Sequence, residues 1–283
     1  MGWAKYQEDI VSRRVEDRYY LQSKRPESSA ALPAALNEIG RIEKGVFSAT
    51  SSDKTFAPFK EKSMSKLTEF TMPSARPLPV IVLADISGSM AADGKIDSLN
   101  EAIREMIAAF AEEDDTRAEI HVSIITFGGD EASIYKQLKP ASEIKWENMS
   151  AAGRTPMGGA FSMVRQLIED REAIPGRAYR PTIVLVSDGV PTDDWEGPLE
   201  LLLSSERASK AVRFAMGVGE DANIETLKAF VTSDEAHVFE AHQAREIKKF
   251  FQWVTMSVAT RSHSVNPDSV IVAEPTDLDD FDF

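Results

Sequence analysis

A chain of 283 residues without one cysteine can hold neither a disulfide nor a thiolate metal site. Its formal net charge of −14 excludes nucleic acid and anionic membrane as natural main partners. With 42% hydrophobic residues it can bury one large α/β core and leave residues over.

The N-terminus, MGWAKYQEDIVSRR, lacks the apolar core of a signal peptide, and no segment is long enough to span a bilayer. The expected location is the cytoplasm. Residues 1–77 read as an extension, helical or irregular, that docks on this domain or on a partner. Trp3, Tyr6, Ile10 and Val11 lie near one helical stripe, and Leu36, Ile39, Ile42 and Phe47 suit a second short helix. A Pro-containing stretch separates them at 26–35, and a polar, turn-rich one follows at 48–59.

From Leu78 strands and helices alternate. Val80 to Ala84 is an unbroken apolar run rich in β-branched residues, too short for a helix, and predicts a strand over Val80 to Asp85 buried on both faces. Asp97 is placed to cap a helix whose apolar face is Leu99, Ile103, Met106, Ile107 and Phe110. Strands are expected at Glu119–Phe127 and Glu131–Leu138, joined by a hairpin-like GGD that makes the second an antiparallel edge. A helix at Gly159–Ile168 follows, then a strand at Thr182–Val186, a helix at Pro198–Lys210 and a strand at Val212–Val218. A helix at Asn223–Val231, a short strand at His237–Phe239 and a helix at Gln243–Thr260 complete the pattern. This order predicts a doubly wound α/β fold, a mostly parallel sheet with helices on both faces. The domain is expected to cover 78–261. Residues 262–283, ending in EPTDLDDFDF, read as an acidic, disordered tail or a short docking motif.

Three clusters of oxygen donors sit where such a sheet binds ligands, beyond the carboxyl ends of its strands. The first is Asp85, Ser87 and Ser89 in DISGSM, where alternate positions of an extended loop turn to one side and Gly88 keeps the space between them clear. The second is Thr155, on the glycine-rich loop GRTPMGG that begins at Gly153. The third is Asp188 in VSDG. Two carboxylates and three hydroxyls, with no nitrogen or sulfur, suit Mg²⁺, with Ca²⁺ or Mn²⁺ as alternatives. Each piece alone also suits an ordinary turn or cap: Thr155, for example, stands where it could cap a helix.

DISGSM, the Thr of TPMGG and SDG together resemble the metal-ion-dependent adhesion site of the von Willebrand factor type A (VWA) domain. The resemblance covers about 78–261 and implies a Rossmann-like VWA fold. VSDGVPTDDWE and KKFFQWVTMSVATRS are most similar to the bacterial VWA proteins of tellurium-resistance and related stress operons. The resemblance implies that Ser87 and Ser89 bind the metal directly, and that Asp85, Thr155 and Asp188 bind directly or through water. It further implies a non-enzymatic, cation-dependent module whose protein partner supplies an Asp or Glu as last ligand. Proteins of that kind often accompany a PP2C-type phosphatase and a Ser/Thr kinase, which the resemblance offers as candidate partners. Gly88, Gly153, Asp193 and Asp194 are expected behind the ligands or on the partner-facing rim.

Enzyme readings fail on spacing. Gly88 and Gly94 enclose five residues where a P-loop needs four, and Ile96 stands where Ser or Thr should be. A phosphoryl-transfer D-x-D is broken by Ser87. His237 and His242 are spaced wrongly for a helical ligand pair. Metal-assisted hydrolysis remains a lesser alternative, with Asp193 or Asp194 to take a proton, as does a scaffold whose metal only staples loops.

Overall fold

The computed structural model describes residues 75–113, 117–231 and 238–269. The expected N-terminal helices, His237 and the end of the acidic tail lie outside them. The strands are β1 (Arg76–Asp85), β2 (Ala118–Gly128), β3 (Glu131–Pro140), β4 (Thr182–Ser187), β5 (Val212–Val218) and β6 (Val238–Ala241). The helices are α1 (Lys95–Glu112), α2 (Met157–Glu169), α3 (Glu196–Ser204), α4 (Ile224–Val231) and α5 (Ala244–His263).

The six strands form one sheet in the order β3-β2-β1-β4-β5-β6. Every pair is parallel except β2 with β3, so the expected antiparallel edge is present. β1 is buried from Pro77 to Asp85, and its side chains divide by parity. Val80, Val82 and Ala84 face a layer built from α1 and α5, including Ile103, Phe250 and Val254. Ile81 and Leu83 face the opposite layer, with Phe161 of α2, Leu202 of α3 and Phe230 of α4. A strand covered on both faces needs no polar alternation, which is why β1 and β4 read as solid apolar runs.

The chain passes from β1 to β2 on one side and later returns to place β4 on the other. The winding therefore switches between β1 and β4, and a crevice opens beyond their carboxyl ends. Asp85 is the last residue of β1, and Asp188 immediately follows β4.

Several boundaries differ from expectation. Asp97 does not cap α1: the N-cap is Gly94, at φ 70°, and Asp97 lies in the first turn, where its charge still complements the helix dipole. The helix expected over 198–210 splits into α3 and a short 3-10 turn at Ala208–Lys210. The Ser204 hydroxyl donates to the Glu200 carbonyl, and the Glu169 carboxylate accepts the Arg207 and Ala208 amides, which ends one helix and starts the turn. β1 begins at Arg76, two residues before the expected start of the domain at Leu78. At the other end α5 runs to His263 and a turn continues to Ser269, so residues 262–269 belong to the fold and not to a tail. Arg261 explains this: its fully buried guanidinium donates to the Pro267 carbonyl at 3.1 Å, the Thr182 hydroxyl at 2.6 Å and the Arg180 carbonyl at 2.9 Å.

Candidate metal centre

The loop leaving β1 is pinned before it reaches the serines. The Ile86 amide donates to the Phe127 carbonyl of β2, and the Ile86 carbonyl accepts the Ala152 amide at 2.7 Å. The Gly88 amide donates to the Gly153 carbonyl at 3.0 Å. Gly153 itself sits at φ 78°, where a methyl group would stand 2.4 Å from the Gly129 Cα. Only glycine fits that contact, so the loop of Thr155 is fastened to the ends of β1 and β2 by backbone. Gly88 and Gly153 thus shape the site as a packed pair.

Ser89 was expected on extended chain, but it lies in a 3-10 turn, Gly88–Ala91, anchored by the buried Met90. The turn still brings the two hydroxyls to one side: Ser87 Oγ and Ser89 Oγ are 3.0 Å apart. Ser89 Oγ donates to Asp188 Oδ1 at 2.6 Å. Thr155 Oγ1 and Ser89 Oγ flank Gly189, where a methyl group would stand 3.6 Å from the first and 3.8 Å from the second, so Thr155 lies on the same side of the site. Thr155 does not cap α2. The N-cap there is Pro156, and the Asp193 carboxylate accepts the Gly158 and Gly159 amides at 3.0 and 2.9 Å.

The two central carboxylates are both fully buried. Asp85 Oδ1 accepts the Ser87 amide at 2.8 Å, and Oδ2 accepts the Ser187 hydroxyl at 2.6 Å. Burial pushes the Asp85 carboxyl up to about 6. The hydrogen bonds from Ser187 and Ser87 oppose that rise, and the charge of Asp188 adds to it. With both oxygens engaged inside the protein, Asp85 stands behind the hydroxyls. The second oxygen of Asp188 accepts the Lys95 ammonium at 2.8 Å.

Sequence reasoning missed Ser187, Lys95 and Thr192. Thr192 clamps Thr155 on both sides: its hydroxyl accepts the Thr155 amide, and its own amide donates to the Thr155 carbonyl. Asp193, expected behind the ligands or on the partner-facing rim, accepts the two amides at the N-terminus of α2, the helix that follows the Thr155 loop. Asp194 is exposed, and its carbonyl packs against Gly158, where a methyl group would clash. Ser187 lay in view inside VSDG. Lys95 lay inside the rejected P-loop spacing, and nothing in the sequence pointed it back at Asp188.

The donor set fits a divalent cation. Two buried carboxylates beside three hydroxyls carry more negative charge than one ammonium balances, and every donor is a hard oxygen. Among the described residues no three or more His, Cys, Asp or Glu stand together as a metal cluster, so the donors here are two carboxylates and hydroxyls.

A family model for the von Willebrand factor type A domain matches residues 80–253. The chain belongs to that family. VWA domains are in general non-enzymatic protein-interaction modules that use a divalent metal. Among solved structures, proximal thread matrix protein 1 from the mussel byssus is similar with 16% identity and a TM-score of 0.50, over 64% of this chain and 48% of that one. The same mussel protein with a zinc-occupied metal-ion-dependent adhesion site gives 15%, 0.50, 64% and 48%. The pilus adhesin SpaC from Lactobacillus rhamnosus GG gives 11% and 0.52, over 65% of this VWA chain and 31% of the adhesin. At these identities the likeness is one of fold, and this chain spans less than half the length of those proteins. No curated protein sequence matches it. No helix among the described residues is long and apolar enough to cross a membrane.

Proposed function

We propose that this VWA domain is a cation-dependent protein-binding module whose partner contributes an Asp or Glu. The observation that carries the reading is the convergence of Ser87, Ser89 and Thr155 beside Asp188 at the switch between β1 and β4. Ser87, Ser89 and Thr155 would hold Mg²⁺, or Mn²⁺ or Ca²⁺ in its place, with Asp188 direct or through water and Asp85 through water. When bound, the cation supplies a position that a carboxylate oxygen can occupy. Val190, 60% exposed and two residues beyond Asp188, offers the partner an apolar contact beside it. The resemblance to tellurium-resistance and stress-operon proteins favours a bacterial cytoplasmic setting and a PP2C-type phosphatase or Ser/Thr kinase as partner.

Two observations favour this over its rivals. All four oxygens of Asp85 and Asp188 accept a hydrogen bond from the protein, which ties the loops after β1 and β4 together through the chain's own side chains. Of the two acids weighed for a hydrolase, Asp193 has both oxygens committed to backbone amides. The test is capture of partners from the native host with and without chelator, beside a Ser87→Ala/Ser89→Ala variant. Capture should need Mg²⁺, vanish in the variant and spare cooperative unfolding in EDTA. Equal capture in EDTA, or Mg²⁺ binding by the variant equal to wild type in calorimetry, overturns the reading.

A further inference from the structure

Resting on that reading, we infer that Lys95 sets the charge of the centre: it weakens the domain's own hold on a divalent cation and leaves the loaded site positive for an acidic partner. The two oxygens of Asp188 have different neighbours. Oδ1 faces the serines and accepts Ser89 Oγ, whereas Oδ2 accepts the Lys95 ammonium. One carboxylate is thus shared between the hydroxyl cluster and a fixed positive charge.

Three features mark this pair as built in. Lys95 is the first residue of α1, where the helix dipole disfavours a cation, so its place is not explained by the helix. A left-handed turn at Asp93 (φ 55°) and Gly94 (φ 70°) starts the helix there and returns the chain toward the site. Gly219, at φ 84°, leaves room for the ammonium; a methyl group on it would stand 3.2 Å from Lys95 Nζ. The pair is also well inside the protein, at 15% side-chain exposure for Lys95 and none for Asp188, so solvent screens it far less than a surface ion pair. Lys95 also lines an open cleft with Asp93, Glu220, Asp221, His242 and Arg245, and its ammonium donates to Asp188.

The charges then add simply. Asp85, Asp188 and Lys95 sum to −1, and a divalent cation brings the centre to +1. A neutral residue at 95 would make those values −2 and 0. Lys95 therefore repels the cation and draws the partner's carboxylate, whose arrival restores neutrality. Cation and partner each tighten the other by the same factor.

The test uses the 283-residue chain with Lys95→Met, Lys95→Gln and Lys95→Arg. Mn²⁺ affinity is read by calorimetry and metal-free melting in EDTA. Lys95→Met should bind Mn²⁺ on the order of tenfold tighter than wild type and melt lower in EDTA, because Asp188 loses its counter-charge. Lys95→Gln, which keeps a donor to Oδ2 without the charge, should shift Mn²⁺ affinity in the same direction and serves if the Met variant does not fold. Lys95→Arg should stay near wild type. A purely structural lysine would give the melting loss with Mn²⁺ binding unchanged or weaker, and that result overturns the inference while leaving the metal site intact. Absence of Mn²⁺ binding by wild type overturns both.

Discussion

Both oxygens of the Asp85 carboxylate accept hydrogen bonds inside the fold, and burial still pushes the group up from 3.8 to about 6. Between those values the metal-free native chain holds a proton that the unfolded chain has released. The associated stability is therefore fully present below about pH 4 and lost as pH rises through 6, on the order of 3 kcal/mol in all. Asn at this position keeps an acceptor for the Ser87 amide and lets the Ser187 hydroxyl accept where it now donates. Asp85→Asn should accordingly melt several degrees above wild type in EDTA at about pH 7.5, with the gap closing near pH 4, and bind Mn²⁺ more weakly. Equal melting curves at both pH values would show that burial of this charge carries no cost. The same residue marks how far the sequence reached. That Asp85, Ser87, Ser89, Thr155 and Asp188 lie at the carboxyl end of the sheet was legible because their spacing at strand ends leaves few arrangements. That Asp85 is a buried, doubly hydrogen-bonded group, and that Lys95 folds back on Asp188, depends on contacts across ~90 to 100 residues of chain that no local pattern encodes.

At the scale of elements, α2 begins without a capping side chain of its own, and Asp193 caps it from 35 residues away. Asp193→Ala should therefore lower stability by about 1–2 kcal/mol, the usual cost of losing a helix cap. Mn²⁺ affinity should fall less than in Ser87→Ala/Ser89→Ala, because Thr192 still clamps the Thr155 loop. Thermal melting and calorimetry on the same samples separate the two effects; a loss of binding as deep as in the serine variant would make Asp193 part of the centre itself. The strands were the legible elements, since β1 and β4 carry apolar runs whose burial on both faces leaves one interpretation. Ends were less so. Pro77 and Pro79 hid the start of β1, and the close of the fold beyond Arg261 rests on one guanidinium reaching Pro267, Thr182 and Arg180. The Asp268 carboxylate adds a bond from the Arg180 amide at 2.8 Å. A chain ending at Ser269 should melt clearly above one ending at Arg261, which would leave the buried guanidinium short of an acceptor; coincident melting would return residues 262–269 to a tail.

The whole molecule carries a formal charge of −14 and is proposed to bind an acid. Those two statements conflict unless attraction is local and repulsion is long-range. At physiological salt charges are screened over about 8 Å, so an approaching acidic partner feels the whole surface only in dilute salt and mainly the centre in ordinary buffer. Asp85, Asp188 and Lys95 lie at or near full burial, where screening by salt is weakest. The seated carboxylate should therefore be nearly indifferent to salt, whereas the encounter should not be. With Mg²⁺ saturating, raising NaCl from about 20 to about 150 mM should speed association of a captured acidic partner severalfold and leave dissociation almost unchanged. Biosensor kinetics at the two salt levels, repeated with the partner's critical Asp or Glu neutralised, read this directly. Association that slows with salt would mean that the general acidity of this surface recruits a basic partner, and that the metal centre is not what selects it.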